Sequence, residues 1–77
     1  MDMRLPQFDM LDAEATILNW LKAEGDPVHE GEPIVEIETA KASGVLEAPA
    51  DGVLERIQAK PGTTVTSGQV LAVIKLS

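Results

Sequence analysis

Cysteine is absent from the 77 residues, and histidine occurs only once. A disulfide framework, a thiolate zinc site and a Cys/His nucleophile pair are therefore excluded. The missing thiols are compatible with a reducing compartment. Long apolar runs are missing too: Met1 to Pro6 holds two charges and no apolar stretch, and nothing approaches the length needed to cross a bilayer. The expectation is a soluble, cytoplasmic protein. Basic residues are scarce, six against thirteen acidic, for a formal net charge of −7. Such a balance repels phosphate backbones and anionic lipid surfaces, so neither nucleic acid nor membrane is an expected partner. The acid keeps a small domain soluble, and it also suits docking onto basic enzyme surfaces. Catalytic signatures are lacking as well. There is no glycine-rich phosphate loop, no serine–histidine pairing and no metal-ligand cluster, and His29 beside Glu30 and Glu32 reads as a solvated turn residue. A chain this short has interior for one core, so residues 1–77 form one domain, expected to be non-catalytic.

What is present is an internal repeat. Gly25, Val28, Gly31, Ile34 and Ile37 recur at a constant offset as Gly62, Val65, Gly68, Leu71 and Ile74, and in the same register Ile17 and Trp20 meet Leu54 and Ile57. Each half reads as strand, turn, short extended piece, turn, strand, with glycines supplying positive φ at the corners. Asp51-Gly52, Pro61-Gly62 and Gly25-Asp26-Pro27 are turn signals. Turns every eight to twelve residues suggest an all-β sandwich or flattened barrel, in which two similar four-stranded halves close on one another around a shared core. One segment competes with this reading. From Asp12 to Glu24 the apolar residues Ala13, Ile17, Trp20, Leu21 and Ala23 sit near helical spacing, Asp12 is placed to cap and Gly25 to terminate. Its repeat partner, Gly52 to Ala59, follows a turn signal and is too short for a comfortable helix. The partner decides, and residues 15 to 22 are expected to form a strand with Trp20 in the core or at its rim.

Between the halves lies Glu36-Ile37-Glu38-Thr39-Ala40-Lys41-Ala42-Ser43-Gly44-Val45-Leu46-Glu47-Ala48-Pro49, with Lys41 close to the midpoint of the repeat. Its neighbours Thr39, Ala40, Ala42 and Ser43 are small. At a hairpin tip such neighbours leave an amine protruding and the backbone accessible, as a modifying enzyme requires. Amide formation there would erase the charge of the ammonium.

This segment, with Glu47-Ala48-Pro49-Ala50-Asp51-Gly52 after it, resembles the attachment signature of lipoyl domains from the acyltransferase components of 2-oxo acid dehydrogenase complexes, members of the biotinyl/lipoyl attachment family. Leu5-Pro6, Thr16-Ile17 with Trp20-Leu21, Glu24-Gly25-Asp26-Pro27-Val28 and Gly68-Gln69-Val70-Leu71-Ala72-Val73-Ile74 match the same pattern in order, so the resemblance covers nearly the whole chain. It implies a flattened barrel of two four-stranded antiparallel sheets with internal quasi-two-fold symmetry. It also implies lipoate in amide linkage on Lys41 at an exposed turn, with Glu38, Thr39, Ala40 and Ala42 as flanking recognition residues. The implied partners are a lipoate-attaching ligase or transferase, a thiamine-diphosphate-dependent dehydrogenase, an acyltransferase domain and dihydrolipoamide dehydrogenase. In that family the lipoyl group is a swinging arm, and the domain catalyses none of the steps.

Two positions depart from the family pattern. Ala40 stands where aspartate usually precedes the modified lysine, and Ala15 where glycine is usual. The first removes a charged contact that a ligase or dehydrogenase would read, although Glu38 remains nearby along the strand. Biotinyl carriers share the implied fold, but their lysine typically lies between methionines, whereas Ala40 and Ala42 favour lipoate. The glycine-cleavage carrier is longer, and an unmodified barrel-like interaction module would require no lysine at the tip. Without a Pro/Ala-rich linker after the last strand, the chain is expected to be an excised domain or a free-standing carrier.

Overall fold

Alternation of apolar and polar residues over short runs, broken by glycine turns, is the pattern of half-buried antiparallel strands. The computed structural model describes residues 1–5, 14–40 and 42–77, and every regular element among them is a strand: β1 (Asp2–Arg4), β2 (Glu14–Trp20), β3 (Pro27–Val28), β4 (Pro33–Glu38), β5 (Ser43–Glu47), β6 (Gly52–Ile57), β7 (Thr64–Thr66) and β8 (Val70–Leu76). They form two four-stranded sheets, ordered β1-β8-β6-β3 and β5-β4-β2-β7, with every pair antiparallel. The second is called the hairpin sheet below, the first the opposite sheet. The all-β, two-sheet expectation holds, and β2 ends at Trp20, two residues before the expected limit. Asp12 and Ala13, part of the helical alternative, lie outside the described residues.

The repeat is structural down to single hydrogen bonds. Gly25, Gly31, Gly62 and Gly68 have φ of 94°, 86°, 88° and 85°, a region that costs a residue with a Cβ dearly and glycine little. The N–H of Gly25 donates to the Leu54 carbonyl, and the N–H of Gly62 to the Ile17 carbonyl, both at 2.7 Å. The N–H of His29 donates to the Glu32 carboxylate and that of Thr66 to the Gln69 amide oxygen, both at 3.1 Å. Ile17 pairs with Ile37 across β2 and β4, and Leu54 with Ile74 across β6 and β8.

The halves do not each make one sheet. The short strand β3 of the first half pairs with β6 of the second, and β7 of the second pairs with β2 of the first. Exchanging the short strands ties the halves through backbone ladders as well as through the core, where Ile17, Val28, Ile34 and Ile37 meet Leu54, Val65, Leu71 and Ile74, all buried. Burying each such side chain is worth about 1.5–3 kcal/mol. Trp20 packs at the core's edge and donates its indole N–H to the Ala59 carbonyl at 2.7 Å, so its one polar atom is satisfied. Among the described residues no helix is long and apolar enough to cross a membrane.

Candidate functional site

The hairpin β4–β5 carries the candidate site. Its ladder runs Pro33↔Glu47, Val35↔Leu46, Glu36↔Val45, Ile37↔Gly44 and Glu38↔Ser43. Inward residues Val35 and Ile37 are buried and hold the ladder to the core, so the last pair, Glu38 and Ser43, fixes where the turn begins. Beyond it the N–H of Thr39 donates to the Ala42 carbonyl at 2.8 Å. The Thr39 hydroxyl donates to that carbonyl at 2.9 Å and accepts from the Ala42 N–H at 3.2 Å. A side chain thus completes what the backbone would otherwise supply, a local use to which threonine is suited.

Lys41, the predicted attachment residue, lies outside the described residues. Of the four flanking residues, Glu38, Ala40 and Ala42 are exposed and Thr39 is half-buried. The two alanines that adjoin Lys41 in the chain carry only methyl groups. Sequence reasoning placed Thr39 among the small neighbours and missed its hydroxyl clasp; the signal for it is a threonine three residues before the paired residue of a short turn.

Among the described residues, two further charged pairings involve loop residues before β4. The Glu32 carboxylate, in the loop before β4, takes the Lys22 ammonium at 3.1 Å. That hydrogen bond first, and the His29 backbone N–H second, hold its carboxyl below the usual carboxylate range. His29 is solvent-exposed, with its Nδ1 4.0 Å from Asp51 Oδ1, as expected of a turn residue. Among the described residues no group of three or more His, Cys, Asp or Glu side chains is placed to hold a metal ion.

Comparison with known proteins gives a consistent set of relatives. The biotin/lipoyl family described as "Biotin-requiring enzyme" matches residues 1–74. The chain is 39% identical over 72 residues to the dihydrolipoyllysine-residue acetyltransferase component of the acetoin cleaving system of Pseudomonas putida, covering 94% of this chain and 20% of that protein. It is 41% identical over 73 residues to the dihydrolipoyllysine-residue succinyltransferase component of the 2-oxoglutarate dehydrogenase complex of Cupriavidus necator, covering 95% of this chain and 18% of that one. The chain thus spans about a fifth of the length of these relatives. Among solved structures, the solution structure of the lipoyl domain of the 2-oxoglutarate dehydrogenase complex from Azotobacter vinelandii superposes with a TM-score of 0.78 at 37% identity, over 97% of this chain and 95% of that one.

Proposed function

Because the chain belongs to the biotin/lipoyl attachment family, as one of its lipoyl domains, we propose that Lys41 carries a lipoyl group in amide linkage and delivers it between the active sites of a 2-oxo acid or acetoin dehydrogenase complex. The domain is a carrier and performs no catalysis itself. What supports the choice of Lys41 is its place in the chain between two exposed alanines, in a turn clasped by Thr39 and borne on a ladder anchored in the core. The bound group would supply a cyclic disulfide able to accept an acyl group together with two electrons and to give both up again. This chain's residues do the rest. The Lys41 amine, once deprotonated, is the nucleophile for an activated carboxyl; the amide forms with loss of one amine proton and of the activating group. Ala40 and Ala42 keep the surroundings of that bond small. The barrel acts as a rigid post, so encounters with successive active sites become intramolecular at raised effective concentration. The partners in this reading are a lipoate-attaching enzyme, a thiamine-diphosphate-dependent dehydrogenase, an acyltransferase domain and dihydrolipoamide dehydrogenase, in the cytoplasm.

The test is the intact mass of the protein produced in cells supplied with lipoate, followed by peptide mapping. The expected result is one lipoyl group on the peptide containing Lys41, and none on Lys41→Arg. A biotinyl mass, a modification on Lys22, Lys60 or Lys75, or one persisting in Lys41→Arg would overturn the assignment.

A further inference from the structure

The quasi-two-fold repeat provides an internal control for the outer faces of the two sheets. Both long strands carry a bulge at the same place, between Ile17 and Asn19 in β2 and between Leu54 and Arg56 in β6. A bulge puts two successive residues on one face, so Leu18 and Asn19 point outward from the hairpin sheet as Glu55 and Arg56 do from the opposite sheet, all four exposed. Across the ladders, Asn19, Glu36 and Val45 form one outward row, and Arg56, Val73 and Asp2 form its equivalent. The same backbone therefore carries Leu18 and Val45, 44% and 48% exposed, where the other half carries Glu55 and Asp2. The fold makes no demand for apolar side chains at these positions, yet the hairpin sheet has them.

Charge separates the two faces further. The strands of the hairpin sheet contain Glu14, Glu36, Glu38 and Glu47 and no lysine or arginine, whereas those of the opposite sheet contain Arg4, Arg56 and Lys75 with Asp2 and Glu55. Apolar side chains are exposed on the opposite sheet as well, Val53 and Leu76, but Val53 pairs with Lys75 and Leu76 follows it. Among the described residues, only the strands of the hairpin sheet combine exposed apolar side chains with charges that are all acidic.

We propose that the outer face of the hairpin sheet, where Leu18 and Val45 lie on either side of Glu36 with Glu47 beyond Val45, is the docking surface for the enzyme that acylates Lys41, whose matching surface sets apolar side chains on either side of a lysine or arginine. The inference rests on the Lys41 reading above. Whatever acylates a lysine must bring its reacting carbon to bonding distance of Nζ, on a stem of four carbons, and so must come close against the hairpin. Val45 lies two residues from the last ladder pair, about 7 Å along β5, within the footprint of any protein seated there. The two apolar side chains offer area to be removed from water on contact, and the acid between and beside them steers toward base on the other side.

The experiment is acylation kinetics with a lipoate ligase supplied with lipoate and ATP, using the unmodified domain as substrate. Leu18→Gln with Val45→Thr removes both exposed apolar side chains without adding charge, at positions where the equivalent strands already hold polar residues; thermal melts verify the fold. The variant is expected to raise KM for the domain about tenfold with kcat nearly unchanged. Glu36→Gln with Glu47→Gln is expected to lower kcat/KM at low salt, with the difference closing at moderate salt. Asp2→Asn with Glu55→Gln, on the opposite sheet, is expected to change nothing. If the unsubstituted domain is acylated but the Leu18/Val45 variant is acylated equally well, the docking face is overturned while the Lys41 reading stands. If the unsubstituted domain accepts no lipoyl group, both fall together.

Discussion

At the scale of single residues, the glycines divide into two physical kinds. Gly25, Gly31, Gly62 and Gly68 are needed for their positive φ, and a Cβ added at any of them would meet nothing within 4 Å. Gly52 is the reverse. Asp51-Gly52 reads in the sequence as a turn dipeptide, yet Gly52 is the first residue of β6, without positive φ. A Cβ there would collide with the Lys75 carbonyl oxygen and crowd the Ile74 side chain. Its repeat equivalent is Ala15, buried in β2 opposite Val65, so the hairpin sheet accommodates the methyl that the opposite sheet excludes. The departure at Ala15 is thereby explained as tolerated packing. Gly52→Ala is expected to destabilise by about 1–3 kcal/mol, since β6 and β8 must part to admit it, whereas Ala15→Gly costs about 0.5–1 kcal/mol through backbone entropy. Urea melts of the two variants compare them directly, and a Gly52→Ala domain as stable as its parent would remove the close-approach argument.

At the scale of elements, the bulges explain what was legible and what was not. The repeat, its four corner glycines and the alternating cores of β4 and β8 could be read from the chain because each depends on local chemistry at fixed spacing. The helix-like spacing from Asp12 to Glu24 has a specific cause in its described part. The β2 bulge shifts the inward set to Ala15, Ile17 and Trp20, replacing a strict period of two with steps of two and three. No local propensity announces a bulge, nor the exchange of β3 and β7 between sheets, nor the Trp20 bond to Ala59; each is settled by partners distant in sequence. Lys41, the proposed attachment residue, was marked by its place at the midpoint of the repeat, by its small neighbours and by resemblance, whereas the Thr39 clasp on the same turn became definable only once the ladder register was known. Equivalence of the two halves has a measurable consequence. Ile37 and Ile74 are both buried, paired with Ile17 and Leu54 respectively, so truncating either to alanine should cost about 2–5 kcal/mol, enough to unfold much of a domain this small. Denaturant titration of both variants checks this, and a loss at one position with none at the other would contradict the shared core.

At the scale of the whole molecule, charge governs encounter. The formal charge of −7 is not spread evenly, for the strands of the hairpin sheet hold only acid while those of the opposite sheet hold a slight excess of base. A partner with a basic entrance is therefore drawn toward the hairpin side, and a charge near its turn acts on a field that already exists. Ala40 is exposed and stands where the family usually has aspartate. Ala40→Asp adds one carboxylate at a position without packing, so stability should change by no more than about 0.5 kcal/mol. Its effect belongs to association. An enzyme that engages Leu18 and Val45 has a contact independent of residue 40, so Lys41 is expected to be lipoylated in both forms. A dehydrogenase that meets only the carried group and the turn has fewer contacts to draw on, and its reductive acylation of the lipoylated domain should rise about threefold in kcat/KM with Ala40→Asp at low salt, through faster encounter. Raising the ionic strength to 0.15 M shortens the screening length to about 8 Å, and most of that gain should disappear. Both forms are lipoylated to completion, verified by intact mass, and assayed with the same dehydrogenase at the two salt levels. Equal acylation of the two forms at low salt would show that the missing aspartate has no part in recognition, and a gain that persists at high salt would mean that the carboxylate makes a direct contact rather than steering approach.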